Sequence, residues 1–170
     1  MTPDAPLVSV LIPSRGRPDA LQDTVTSLRG RATDPHRVEI YVAHDPDDRP
    51  TGIATSCRDI HVIMTTRRYG PDRLHEYHNL MAARAAGTWL LPWTDRATMC
   101  TDGWDKILAD LADGVLVADF QAGDLCRGFS AARRDAVTGV GPRGSSCVSP
   151  WPDAGPVAPV DIVVDHGHIR

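Results

Sequence analysis

Lysine is nearly missing from this chain of 170 residues: Lys106 is the only one, so arginine carries almost all of the positive charge. A GC-rich genome would produce this bias, whereas the functional explanation is that arginine forks suit phosphate recognition. A basic excess is also missing, because the formal net charge is -4. A general nucleic-acid binder has a basic footprint, so the composition argues against that class.

Paired cysteines and long hydrophobic runs are missing as well. No CxxC pair occurs among Cys57, Cys100, Cys126 and Cys147, so we do not expect a zinc cluster. We interpret them as free thiols in a reducing compartment, although an even count leaves disulfides open. Residues 7–12 are too short for the apolar part of a signal peptide, and no segment approaches a membrane span. We therefore expect a cytoplasmic protein.

The chain does contain apolar runs that alternate with amphipathic stretches. Runs at 7–12, 38–43, 60–64 and 89–93 predict strands, and the near-continuous run at 7–12 is typical of a strand covered on both faces. Leu21, Val25 and Leu28 lie four and three residues apart and predict a helix, and 72–86 predicts another. This alternation predicts parallel pairing and an α/β sandwich in a single domain.

The later part of the chain has a weaker pattern. Asp102 is a candidate N-cap for a helix that carries Trp104 and Leu108. A strand is predicted at 115–118, a short helix around 131–137 and a last strand at 160–164. Residues 139–159 are rich in Gly, Pro and Ser, which is typical of a long loop.

Three polar clusters follow predicted strands. They are residues 14–17 after the first strand, 45–48 after the second, and 94–96 after the Trp-rich run at 89–93. In open α/β sheets, ligands bind beyond the carboxyl ends of the strands. Arginines, carboxylates and an acid-arginine pair around one crevice suit a nucleoside diphosphate, since arginine binds phosphate and a carboxylate binds ribose or a metal.

These features together resemble the family 2 glycosyltransferases with the GT-A fold. The resemblance covers roughly residues 7–110 and weakens after Val115. It implies an α/β GT-A three-layer sandwich with a mostly parallel central sheet. The single domain, 1–170, would have a nucleotide-binding half at 7–110 and a shortened acceptor-side half at 111–170. The resemblance is carried by Val8 to Arg17, the Asp45 turn, Asn79 with Ala82, Ala85, Ala86 and Gly87, Trp93 to Arg96, and Gly103 to Asp105.

The resemblance also implies which residues bind a nucleotide-sugar donor. Pro13, Arg15 and Asp45 would contact the nucleoside, and Asn79 would face the donor. Residues 94–96 match the place where the family has an acidic cluster beside the diphosphate. Asp95 and Arg96 are therefore nucleotide-binding candidates as well.

A divalent cation, Mn²⁺ or Mg²⁺, is implied at the acidic cluster. Asp95 is the single acid there, whereas these ions take several oxygen ligands. His166 and His168 are candidate additional ligands, and a solvated tail is the alternative; in an extended segment at most one of them could reach the ion. Two hypotheses follow: Arg96 partly substitutes for the cation, or transferase activity has been lost.

A transferase that inverts the sugar also needs a general base for the acceptor hydroxyl. Related short transferases carry an aspartate after a Ser-Pro segment, which makes Asp153 the first candidate and Asp161 the second. The alternative for Asp153 is ordinary turn chemistry in a Pro-rich segment.

The function predicted from the sequence is transfer of a sugar from a nucleotide-sugar donor to an acceptor hydroxyl, by inversion. The alternative is a catalytically degenerate GT-A-fold module that binds a nucleotide or sugar. A sugar-phosphate nucleotidyltransferase ranks third, since its phosphate loop should contain more glycine than Gly16 alone.

Overall fold

Four parallel strands form the first half of the central sheet. The computed structural model describes residues 5–55, 59–110, 115–118, 129–134, 157–160 and 164–165. The strands lie in the order β3-β2-β1-β4, and each is parallel to its neighbour. This confirms the parallel pairing that the alternation predicted. Their bounds are β1 Val8–Pro13, β2 Val38–His44, β3 His61–Met64 and β4 Trp89–Pro92.

Helices cover both faces of this half. The side chains of β1 alternate, so that Val10 and Ile12 belong to one core cluster and Leu11 to the other. The first cluster includes α1, and the second includes Tyr77 and Met81 of α3. Layers of helix, sheet and helix follow from this. The helices are α1 Pro18–Gly30, α2 Arg49–Thr55, α3 Leu74–Ala82 and α4 Trp104–Ala109, with 3-10 turns at Pro35–Arg37 and Pro71–Arg73.

The second half of the sheet is mixed. Strand β7, Phe129–Arg133, lies antiparallel between β4 and β6, Val115–Ala118, and β8, Val157–Val160, runs parallel to β6. Within the described residues the sheet is thus mostly parallel, as predicted. A separate pair joins β5, Thr98–Met99, to β9, Val164–Asp165.

One local prediction in this half is wrong. The helix predicted around 131–137 begins instead as strand β7, because pairing with both β4 and β6 outweighs the helical preference of its alanines. The strand predicted at 160–164 meets the described structure at its two ends, since β8 includes Val160 and β9 includes Val164; residues 161–163 lie outside the described part of the chain.

The start of α4 also differs from the prediction. Asp102 does not cap it; Gly103 precedes the helix with a left-handed φ of 68°, and Asp102 instead accepts a hydrogen bond from Arg31 at 2.7 Å. Buried Asp105 accepts from the amides of Thr33 and Asp34. These contacts tie α4 to the segment that follows α1. Among the described helices, none has the length and apolarity to cross a membrane.

Candidate functional site at the carboxyl ends of the strands

The three polar clusters lie together where β1, β2 and β4 end. The sheet register brings this about, because Ser14 N–H donates to the Ala43 carbonyl at 3.0 Å and Trp93 N–H donates to the Leu11 carbonyl at 2.8 Å. The loop after β1 is therefore anchored to β2, and the loop after β4 is anchored to β1. The predicted convergence of these clusters is confirmed, while their role in binding stays a prediction.

Asp45 is the most heavily engaged carboxylate at this edge. Its side chain is 2% exposed, and Oδ2 accepts from Arg15 Nη1 at 2.7 Å. Oδ1 accepts from the Tyr77 hydroxyl at 2.5 Å and from Thr65 Oγ1 at 3.4 Å. Burial, together with the hydrogen bond to Asp45, raises the pKa of Tyr77 above its ordinary value. Tyr77 therefore stays a donor to Asp45 at neutral pH.

The rest of the acidic turn holds the loop after β1. Arg15 forms two hydrogen bonds with Asp47, at 2.6 and 2.7 Å, in the bidentate geometry of an arginine fork. These bonds lower the pKa of Asp47 to about 2, and Asp47 and Asp45 raise the pKa of Arg15. Gly16, at φ 66°, aims its N–H at Asp48 Oδ2, 2.9 Å away. Burial would raise the pKa of Asp48, but hydrogen bonds from Thr51 and Gly16 outweigh it and leave the pKa below its ordinary value.

Asp95 has a different environment. It is buried, and its Oδ2 accepts from the Ser14 hydroxyl at 2.9 Å. Its Oδ1 lies 3.3 Å from Nη1 of Arg17, a longer contact than the ion pairs of Arg15. Arg17 directly precedes α1 and is 44% exposed at its side chain. One buried carboxylate and one half-exposed guanidinium therefore lie beside the end of β4.

The other predicted residues are placed less decisively. Pro13 ends β1 beside the site and is half-buried. Arg96 is also half-buried and follows Asp95 directly. Asn79 lies on α3, but two residues after Tyr77, which is about 200° around a helix, so that it faces another direction. Four further candidates lie outside the described residues: Asp153, Asp161, His166 and His168.

Three site residues were missed by the sequence interpretation. Arg17 and Ser14 belong to the polar cluster after β1, at residues 14–17, from which the sequence interpretation named only Arg15. Their position directly after a predicted strand was the signal that could have identified them. Tyr77 lies 32 positions from Asp45, and nothing in the sequence links the two. Only the packing of α3 against β2 brings them together.

An aromatic and basic cluster borders Tyr77. The rings of Tyr69 and Tyr77 meet edge to face with their centroids 5.2 Å apart. The guanidinium carbons of Arg67 and Arg73 lie 5.2 and 5.5 Å from the centroid of the Tyr69 ring. The segment at 67–73 therefore adds positive charge and an aromatic ring face beside Tyr77, which donates to Asp45.

The described residues do not fit a divalent cation. Within them, no group of three or more His, Cys, Asp or Glu side chains is arranged to hold a metal ion. Each oxygen of Asp95 already faces a donor, and one of these donors is itself a cation. A second cation beside the Arg17 guanidinium would be repelled at short range. Whether His166 or His168 adds a ligand stays a prediction.

The layered architecture and this polar edge define a GT-A-like α/β domain, and comparison with solved structures agrees. TarS 1-349 from S. aureus superposes with a TM-score of 0.69 at 11% identity, over 92% of this chain and 60% of that one. The mannosyltransferase PcManGT from Pyrobaculum calidifontis, in complex with GDP-Man and Mn²⁺, has a TM-score of 0.60 at 16% identity, over 77% and 45%.

A nucleotidyl transferase from Methanothermobacter has a TM-score of 0.55 at 15% identity, over 76% of this chain and 72% of that one. The TarS fragment is also known in complex with UDP and with UDP-GlcNAc. No protein-family model and no curated protein matches the chain. These identities are low, so the comparisons show the fold, and this chain spans 60% of the length of the TarS fragment.

Proposed function

We propose that this chain binds a nucleotide-sugar donor at the carboxyl edge of its sheet and transfers the sugar to an acceptor hydroxyl, as family 2 glycosyltransferases do. The observation that carries the proposal is the convergence of Arg15, Asp45 and Asp95 at one edge. Support comes from the shared fold, since TarS and PcManGT have structures with UDP, UDP-GlcNAc and GDP-Man.

Each part of the edge has a chemical role in this proposal. Asp45 would accept from the base or ribose through the remaining lone pair of Oδ2, with Pro13 and Arg15 forming the wall beside it. The diphosphate would lie by Asp95 and Arg96. Asn79 would make a weaker contact with the nucleotide sugar, because it faces away from Tyr77.

In the proposed reaction, the acceptor oxygen attacks the anomeric carbon of the sugar. The bond from that carbon to the diphosphate oxygen breaks, and the nucleoside diphosphate leaves with the electron pair. Asp153 or Asp161 would take the acceptor proton as general base. Because the acceptor attacks directly, on the face opposite the diphosphate, this one displacement inverts the anomeric carbon. Both the choice of base and the cytoplasmic location remain predictions from the sequence.

A binding module without catalysis is the second candidate. The observation that favours it is the single acid at the end of β4, whose oxygens already face Ser14 and Arg17. Such a module would keep the nucleoside contacts and would release no product from a nucleotide sugar.

Thermal unfolding with a nucleotide panel tests the proposal. UDP, GDP, dTDP, CDP, UDP-GlcNAc and GDP-mannose would each be added with Mn²⁺ and with EDTA. A ligand at about 100 times its Kd stabilises the native state by about 2.7 kcal/mol, or about 5–10 °C for a chain of this size. We expect one nucleotide family to give such a shift, and Asp45→Asn to reduce it.

Asp23→Asn, an exposed change on α1, is the matched control and should keep the full shift. No shift with any nucleotide would overturn the proposal. A shift without release of nucleoside diphosphate from the sugar form, across a range of acceptors, would favour the binding module.

A further inference from the structure

In this structure, the positive charge that faces Asp95 is the guanidinium of Arg17. Arg17 Nη1 lies 3.3 Å from Asp95 Oδ1, and Asp95 is 3% exposed. The Ser14 hydroxyl donates a hydrogen bond to the other carboxylate oxygen, Oδ2, at 2.9 Å. Asp95 therefore has a fixed orientation and a positive partner without any added ion.

The net charge of the Arg17–Asp95 pair can be compared with that of a metal site. A divalent cation held by two carboxylates has a net charge of zero, and one guanidinium held by one carboxylate has the same net charge. The loss of acids at residues 94–96 is thus matched by one arginine, and Arg96 adds a further positive charge next to Asp95. A diphosphate at this place would therefore meet positive charge supplied by arginine.

Arg17 also has the capacity to bind a ligand. A guanidinium has five N–H donors in a planar fork, and only the contact from Nη1 is directed at Asp95. Its side chain is 44% exposed, so donors face solvent at the mouth of the site. Helix α1 begins at the next residue, Pro18, and its positive dipole end lies at the same edge.

The two other arginines of the edge are less suitable. Arg15 is bound to three carboxylate oxygens, two on Asp47 and one on Asp45, which occupy both of its terminal nitrogens. Arg96 follows Asp95 along the chain, but in the described residues it forms no hydrogen bond or ion pair that would hold its guanidinium over the site. Arg17 is the arginine anchored by Asp95 that keeps donors unoccupied by carboxylates.

We propose that Arg17, oriented by Asp95 and Ser14, binds the diphosphate of the ligand, so that nucleoside diphosphates bind to this chain without a divalent cation. The inference rests on the proposed function, because it concerns the same nucleotide site. It differs from the sequence hypothesis in that the substituting charge comes from the loop after β1, with Arg96 secondary.

Isothermal titration of UDP and GDP into the full chain tests this, once in EDTA and once in Mn²⁺. We expect the Kd of the nucleotide that binds to agree within about twofold between the two conditions. Arg17→Gln should weaken binding in EDTA about 10–100-fold, since a charge-assisted hydrogen bond contributes about 1.5–3 kcal/mol. Mn²⁺ should partly restore binding to this variant, because Asp95 has lost its cation.

Arg31→Gln is the matched control, since Arg31 is exposed and paired with Asp102 away from the site. It should bind as the parent does. Arg17→Lys keeps the charge without the fork and should fall between parent and Arg17→Gln; it carries the test if Arg17→Gln fails to fold by circular dichroism.

The outcomes separate the two proposals. Binding by the parent only in Mn²⁺ would overturn the role of Arg17 and leave the proposed function standing. Equal binding by Arg17→Gln and the parent in EDTA would do the same, and a loss confined to Arg96→Gln would assign the charge to Arg96. No binding in either condition would overturn both proposals.

Discussion

The two edges of the same parallel sheet are built in contrasting ways. At the amino edge, Ser9 donates to Glu39 at 2.6 Å and accepts from Gly87 N–H at 2.8 Å, and Glu39 also accepts from Ala86 N–H. Within these contacts, Glu39 accepts from a hydroxyl and from a backbone N–H. At the carboxyl edge, Asp45, Asp48 and Asp95 are all buried, and two arginines face them.

The two edges differ in the partners of their carboxylates. At the amino edge Glu39 accepts from a neutral hydroxyl and a neutral amide, whereas at the carboxyl edge Asp45 and Asp95 each face an arginine. Buried carboxylates are costly unless they are paired, and perturbed ionisable groups cluster at functional sites. The carboxyl edge is therefore the place to look for a ligand, and substitutions at the two edges should have different consequences.

The largest effect on stability is expected at the amino edge, from Gly87→Ala. A Cβ on Gly87 would lie 2.6 Å from Ser9 N and 2.8 Å from the Val8 carbonyl carbon, both backbone atoms of β1. Strands β1 and β4 would have to separate, and we expect a loss of about 3 kcal/mol in the free energy of unfolding by urea denaturation.

Gly30→Ala is the control for this change. A Cβ there meets no atom within 4 Å, and Gly30 lies in the last turn of α1, so the variant should equal or slightly exceed the parent in stability. Equal losses in the two variants would contradict the close approach at Gly87.

A smaller effect is expected at the carboxyl edge, from Asp45→Ala. The change removes the acceptor of the buried Tyr77 hydroxyl and one partner of Arg15. Leaving a buried donor unsatisfied costs about 2 kcal/mol, which urea denaturation would measure. Asp45→Asn keeps an acceptor oxygen and should lose about half as much. A loss below about 0.5 kcal/mol for Asp45→Ala, the level of an ordinary surface change, would mean that Asp45 does not organise this edge.

The smallest effect concerns acid stability and Asp47. Its pKa is lowered to about 2 from 3.8 by the hydrogen bonds from Arg15. Between these values the unfolded chain binds a proton that the folded chain does not, so stability falls as the pH falls through this window. Because Asp47 is exposed, water and salt screen the pair and the contribution is small.

Urea midpoints measured across that pH window, at low and high salt, check this expectation. Asp47→Asn should flatten the acid slope at low salt, whereas Asp23→Asn controls for the loss of one negative charge. An unchanged slope in Asp47→Asn would show that the fork with Arg15 does not persist in solution.

Much of the parallel half could be predicted from sequence. The runs 38–43, 60–64 and 89–93 match β2, β3 and β4 to within a residue or so, because short runs rich in β-branched and other apolar residues are typical of strands. Helix α2 carried no such signal: it contains Pro50 and Gly52 and buries only Thr51 and Thr55. Strand β7 was mistaken for a helix, because its pairing partners lie about 15 and 40 residues away along the chain.

The sequence by itself determined the α/β pattern, the parallel pairing of its first strands and the three polar clusters at their ends. Local periodicity encodes these features directly. Only the tertiary structure decided the partners within those clusters: Tyr77 and Arg15 with Asp45, and Ser14 and Arg17 with Asp95. Those pairings join residues 30 to 81 positions apart, and they depend on the packing of α3 and on the register between β1, β2 and β4.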